Sequence, residues 1–171
     1  MYQPITGERL ENYRQALIEF ETVKEEKRFL QQKINTLKAV DYSKEHINSG
    51  NSRKSSEQEI YTQKMEKINA KIKDYIQVLS KEKKYLLVHL GRLKRWEYEK
   101  ILVLRYLENW KFKQIVYEFF YYKPDFELEE KGKYRDKVMC WHRQALQQLR
   151  EITSAPYVPE NTQLNFINDE I

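Results

Sequence analysis

The chain has 171 residues, a third of them charged and 40% hydrophobic, with a formal net charge of +5 and a pI near 9.1. It contains only four Gly and four Pro, the main helix breakers, so composition favours long helices over a compact β or α/β domain with one large core. The single cysteine, Cys140, excludes an internal disulfide, and no apolar run approaches the ~20 residues of a membrane span.

The first residues, MYQPITGERLENYRQ, lack the hydrophobic core of a secretory signal. A soluble, cytoplasmic protein with no membrane partner is the expectation, and the lone cysteine suits a reducing compartment. The positive balance suits an acidic partner. It is unevenly spread: counting Lys and Arg against Asp and Glu, residues 57–95 carry +5 and residues 153–171 carry −3. Between them an acidic cluster, Asp125, Glu127, Glu129 and Glu130, runs directly into Lys131, Lys133, Arg135 and Lys137.

In chain order, residues 6–40 are predicted to form a helix. Leu10, Tyr13, Leu17 and Phe20 recur at steps of three and four, and after one phase slip Val23, Leu30, Ile34 and Leu37 continue the stripe. Residues 41–56 are rich in Ser and Asn and read as a loop. Ser56-Glu57-Gln58-Glu59 fits a capping box, so the second helix is expected to start there. Beyond it Tyr61, Met65, Ile68, Ile72, Tyr75 and Leu79 keep strict 4-3-4-3 spacing, a coiled-coil seam that Leu86 and Leu93 extend while Glu82 and His89 interrupt it. An antiparallel hairpin with the first helix would bury this seam, and so would a homodimer through the arm. The spacing does not choose between them.

Gly91 and the basic Arg92-Leu93-Lys94-Arg95 mark a boundary. A helix over 96–108 follows, with Asn109 as its C-cap because Asn tolerates the left-handed conformation. A short helix over about 111–121 turns Phe112, Ile115, Val116, Phe119 and Phe120 inward, and Pro124 forbids its simple continuation. The last helix, about 134–152, places Val138, Trp141, His142, Ala145, Leu149 and Ile152 on one face. The fold class is therefore all-α. A helical hairpin or coiled-coil arm (1–92) precedes a compact helix-turn-helix bundle (93–152), which carries an inserted loop at 122–133, and a flexible tail (153–171) closes the chain.

Three short helices with one apolar face each are the minimum helix-turn-helix unit. The stretch Ile101-Leu102-Val103-Leu104-Arg105-Tyr106-Leu107 resembles the "LxLRY" helix of the promoter-recognition domain of bacterial sigma factors. Trp110-Lys111-Phe112-Lys113-Gln114-Ile115-Val116 resembles the helix that follows it there, and Val138, Ala145-Leu146 and Leu149-Arg150 resemble its closing recognition helix. Over more of the chain, the sequence resembles phage and prophage late-gene regulators of Gram-positive bacteria, of the RinA and ArpU kind. These pair a charged helical arm with a sigma-like end. The resemblance rests on Tyr42-Ser43 with the polar segment after it, and on the spacing of Val138, His142, Ala145 and Leu146. It implies a sequence-specific regulator of transcription, an activator of late phage or mobile-element genes, acting on double-stranded DNA and meeting RNA polymerase. The chain departs from the pattern in three ways. About a dozen extra residues separate the second and third helices, Val116 stands for the usual small alanine, and the turn glycine is missing.

With Val138 and Trp141 facing the core, helical geometry turns Tyr134, Arg135, Asp136, Met139, Cys140 and Arg143 outward. Arg135 suits a bidentate contact to guanine, Lys133 and Lys137 suit phosphates, and Lys111 and Lys113 stand where a second helix meets the DNA backbone. Cys140 and His142 point apart on a helix and cannot share a metal ion. No Gly-rich phosphate loop, nucleophile elbow or catalytic carboxylate pair occurs. No enzymatic activity and no cofactor are expected. The alternative is a protein–protein adaptor without DNA binding that targets RNA polymerase, a sigma factor or a host repressor.

Overall fold

The structure, a computed structural model, describes residues 4–42, 52–123, 126 and 132–154, with backbone only at 37–42 and 52–58. It is all-helical among these residues: α1 (Gly7–Tyr42), α2 (Ser52–Leu90), α3 (Trp96–Leu102), which runs on as a π-turn (Val103–Leu107), α4 (Phe112–Phe120) and α5 (Gly132–Ser154). No described helix is long and apolar enough to cross a membrane.

α1 and α2 form the antiparallel hairpin. Arg9 near the start of α1 forks onto Glu82 near the end of α2, with Nε 2.6 Å and Nη2 3.1 Å from the two carboxylate oxygens. Further along, the Tyr75 hydroxyl donates to Glu19 at 3.1 Å, and the Phe20 and Tyr75 rings lie 6.1 Å apart. The seam residues of α2 turn inward: Ile68 and Leu79 are buried, and Tyr61, Met65, Ile72 and Tyr75 are half-buried. The apolar stripe is thus covered within one chain, and self-association through it would require the hairpin to open. The two breaks in the seam both have partners, one on α1 and one on α2 itself. Glu82 meets Arg9, and His89 Nδ1 shares a 2.9 Å hydrogen bond with the Tyr85 carbonyl.

The helix boundaries correct the sequence reading at two places. α2 starts at Ser52, so Ser56 stands inside the helix and not at its cap. Arg53 and Lys54 are good helix formers, and no Gly or Pro between Ser52 and Ser56 stops the helix extending backwards. α5 likewise starts at Gly132, two residues early, which shortens the inserted loop. Of the loop expected over 41–56, residues 41–42 and 52–56 are helical, and 43–51 lie outside the described residues. So do the acidic cluster Asp125, Glu127, Glu129 and Glu130, and the tail from 155 onward.

The core has two lobes with α3 and its π-turn between them. The run Ile101-Leu102-Val103-Leu104 is apolar on all sides, as a helix packed from both sides must be. Leu102, Tyr106 and Leu107 join Leu10, Tyr13, Leu86, Leu90, Ala145 and Leu149 in one lobe. Ile101 and Leu104 join Ile115, Phe119, Phe120, Tyr134 and Val138 in the other. The hairpin is therefore no separate rod: its base shares a core with α3 and α5. Two polar contacts fasten it there. The Ile5 N–H donates to Thr153 Oγ1 at 2.9 Å, and Arg14 Nε donates to Asn109 Oδ1 at 2.7 Å.

The π-turn ends at a sharp corner. The Glu108 N–H reaches back five residues to the Val103 carbonyl at 3.0 Å, and the Trp110 N–H reaches Leu104 at 2.8 Å. Asn109 lies between them with φ 57°, the left-handed conformation expected of it.

Candidate nucleic-acid interface

α4 begins immediately after this corner. The Lys111 N–H donates to Gln114 Oε1 at 2.8 Å, which satisfies one of the free donors at the helix start. Arg105 ties the corner down by donating to the Trp110 carbonyl at 3.0 Å while its guanidinium lies 4.7 Å over the Phe112 ring. Lys111 and Lys113 remain exposed on this fixed helix start.

α5 buries one stripe: Tyr134, Val138, His142, Ala145 and Leu149. Lys133, Arg135, Asp136, Lys137, Cys140 and Arg143 are exposed, and Met139 is half-buried. Tyr134 does not face outward as expected. It is buried, with its ring 4.5 Å from Phe120 and 5.8 Å from Phe126, and cannot reach a base edge. The sequence held the signal, since Tyr134, Val138 and His142 are spaced i, i+4, i+8 and must share a face.

The exposed cations fall on two flanks of α5. On the α4 side Arg135 and Lys113 line one open groove of about 1240 Å³, with Trp110, Phe112, Tyr117 and Phe126 among its walls. Phe126, from the inserted segment, closes one end against Tyr117 at 5.9 Å. On the α3 side Lys137 lies 5.0 Å over the Trp141 ring and 5.5 Å over Phe120. Arg95 approaches Trp141 as well, at 5.6 Å, and donates to Glu97 at 3.0 Å. That hydrogen bond, with the residue's own backbone second, holds the Glu97 carboxyl below the usual carboxylate range. Lys133 sits 5.9 Å from the Tyr134 ring. So Arg135 and Lys113 line the same groove, which Glu118 also borders, and Lys137 stands on the other flank of α5. The contacts of Phe126 with Tyr117 and of Arg95 with Trp141 carried no sequence signal, because both depend on tertiary packing, although the place of Arg92, Lys94 and Arg95 just before the first motif helix suited backbone contact as well as a solvated face.

Behind the exposed strip, His142 is buried and shares a 3.0 Å hydrogen bond with the Tyr106 hydroxyl. The Phe112 ring meets it edge-on at 5.2 Å. Burial, with the Arg105 guanidinium second, pushes the His142 imidazole down to about 4 from 6.5. It is a neutral packing group that joins α3, α4 and α5.

Compared with known proteins, the chain matches no family model, no curated sequence and no solved structure.

Proposed function

We propose that α3, α4 and α5 act as a helix-turn-helix that binds double-stranded DNA sequence-specifically, with α5 in the major groove, and that the protein is a non-enzymatic regulator of transcription. The observation that carries this reading is that Arg135 of α5 and Lys113 of α4 border one groove beside the exposed strip of α5. A guanidinium on the first turn of a recognition helix reads bases, while lysines at the start of the preceding helix hold phosphate. Phe120 against Tyr134 at 4.5 Å and Phe119 against Trp141 at 6.0 Å fix the angle between α4 and α5, as a reading head requires. The role in activating late phage or mobile-element genes of a bacterial host, with RNA polymerase as a partner, rests on the resemblance of 96–122 and 134–152 to sigma-like regulators.

The test is binding to duplex fragments flanking the protein's own gene, at two salt concentrations, for the wild type and Arg135→Ala. Arg135→Ala is expected to cost about 1–3 kcal/mol on the true site and to relax specificity there, and an unchanged footprint and affinity would reject that role. A second reading, a protein-binding adaptor, draws on Ile76, Val78, Leu87 and Val88, all exposed on α2. Association through such apolar residues would survive added salt, whereas phosphate contacts would not.

A further inference from the structure

The flank of α5 away from the Lys113–Arg135 groove carries a second row of cations. The turn before α3, and α3 itself, run antiparallel to α5 there. The Lys94 N–H donates to Gln148 Oε1 at 3.3 Å, and the Tyr98 hydroxyl donates to Gln144 Oε1 at 2.6 Å. One turn further towards the start of α5, Arg95 and Lys137 converge on the Trp141 ring. Lys137, Arg95 and Lys94, all exposed, thus border α5 from residue 137 to residue 148, roughly 16 Å at the helical rise. Resting on an aromatic face positions both Arg95 and Lys137 before any partner arrives, which lowers the entropic cost of binding. Glu97 stands within this row and accepts the Arg95 hydrogen bond at 3.0 Å.

The major groove is about 12 Å wide and a helix with its side chains about 10–12 Å across. A helix seated there therefore has a phosphate strand close on each side. Lys111 and Lys113 supply cations on one side of α5 only. We infer that Lys94, Arg95 and Lys137 form a second phosphate shelf, which holds the DNA strand on the α3 side of α5, and that Glu97 occupies Arg95 until a phosphate displaces it. This rests on the DNA-binding reading above and assigns the two backbone strands to separate parts of the fold.

The experiment measures affinity against salt on one duplex for the wild type, Lys94→Ala/Arg95→Ala, Lys111→Ala/Lys113→Ala and Glu97→Gln, together with phosphate-ethylation interference on each strand. Each double variant should lower the slope of log affinity against log salt by about 1.8, two phosphates at about 0.9 each. The lost phosphate contacts should lie on opposite strands for the two doubles. Glu97→Gln should bind about three-fold tighter or more at low salt, since one repelling charge disappears and Arg95 is released. Specific wild-type binding with an unchanged slope in Lys94→Ala/Arg95→Ala, or losses on the same strand for both doubles, overturns the shelf and leaves the DNA reading intact. Failure of the wild type to bind any duplex overturns both.

Discussion

At His142 the helical stripe of α5 carries an ionisable group into the core, and stability should report it. Its folded-state pKa is about 4 against 6.5 when exposed. Between these values the unfolded chain binds the proton and the folded chain does not, so stability falls as pH drops through this window. The loss attributable to this one group is about 2 kcal/mol at pH 5 relative to pH 7. Urea denaturation at the two pH values should show that difference in the wild type and not in Tyr106→Phe/His142→Phe, a pair that removes both hydrogen-bonding partners together. Equal pH dependence in the two proteins would place the responsible groups elsewhere. Residue-level reading of the sequence succeeded here because His142 sits in register with Val138 and Ala145. It applies equally to Tyr134, four residues earlier on the same face, whose spacing to Val138 marks it as buried wherever the helix starts. Arg95 over Trp141 was beyond it, since no periodicity connects residues 46 apart.

The elements were legible where a local rule decides them. Asn109 takes the left-handed conformation expected of it, φ 57°, though one residue past the cap, which is Glu108, and the α2 seam was read from its spacing alone, although only packing shows that α1 covers it. Two features lacked such a rule. The π-turn over Val103–Leu107 lies where the chain is buried on both sides, with Leu104 in one lobe and Tyr106 in the other, and no residue pattern marks it in the sequence. The start of α2 had competing signals, and the helix-forming Arg53 and Lys54 outweighed the capping pattern at Ser56. The corner that joins the π-turn to α4 gives an element-scale prediction. Asn109→Val should destabilise by about 1–2 kcal/mol, because a β-branched side chain is strained in the left-handed conformation. Asn109→Gly should cost less than Asn109→Val, since it relieves the backbone and loses only the exposed Arg14 hydrogen bond. Chemical denaturation of both variants checks the order: both lose the Arg14 hydrogen bond equally, so the reverse ranking would mean that left-handed backbone strain does not govern this corner.

On the scale of the whole molecule, the shared lobe decides how arm and head move. Leu86, at the base of α2, is fully buried in the same cluster as Ala145 and Leu149 of α5, and the Ile5–Thr153 hydrogen bond closes that contact. If the arm were an independent rod, a cavity in it would loosen α1 and α2 and leave α5 untouched. A common core predicts otherwise. Leu86→Ala should cost about 2–5 kcal/mol, the usual range for a buried leucine, and that loss should appear in α5 as well as α2. Native-state hydrogen exchange provides the measurement: amides around Ala145–Leu149 should exchange about 30-fold faster or more, in step with those around Leu86. Acceleration confined to the hairpin would show that the head folds without it. Coupled exchange would have a consequence for the proposed function. With α5 lying in a DNA groove, the direction of the arm would be set by the protein itself, so any partner that the arm meets would be held at a fixed distance and angle from the bases being read.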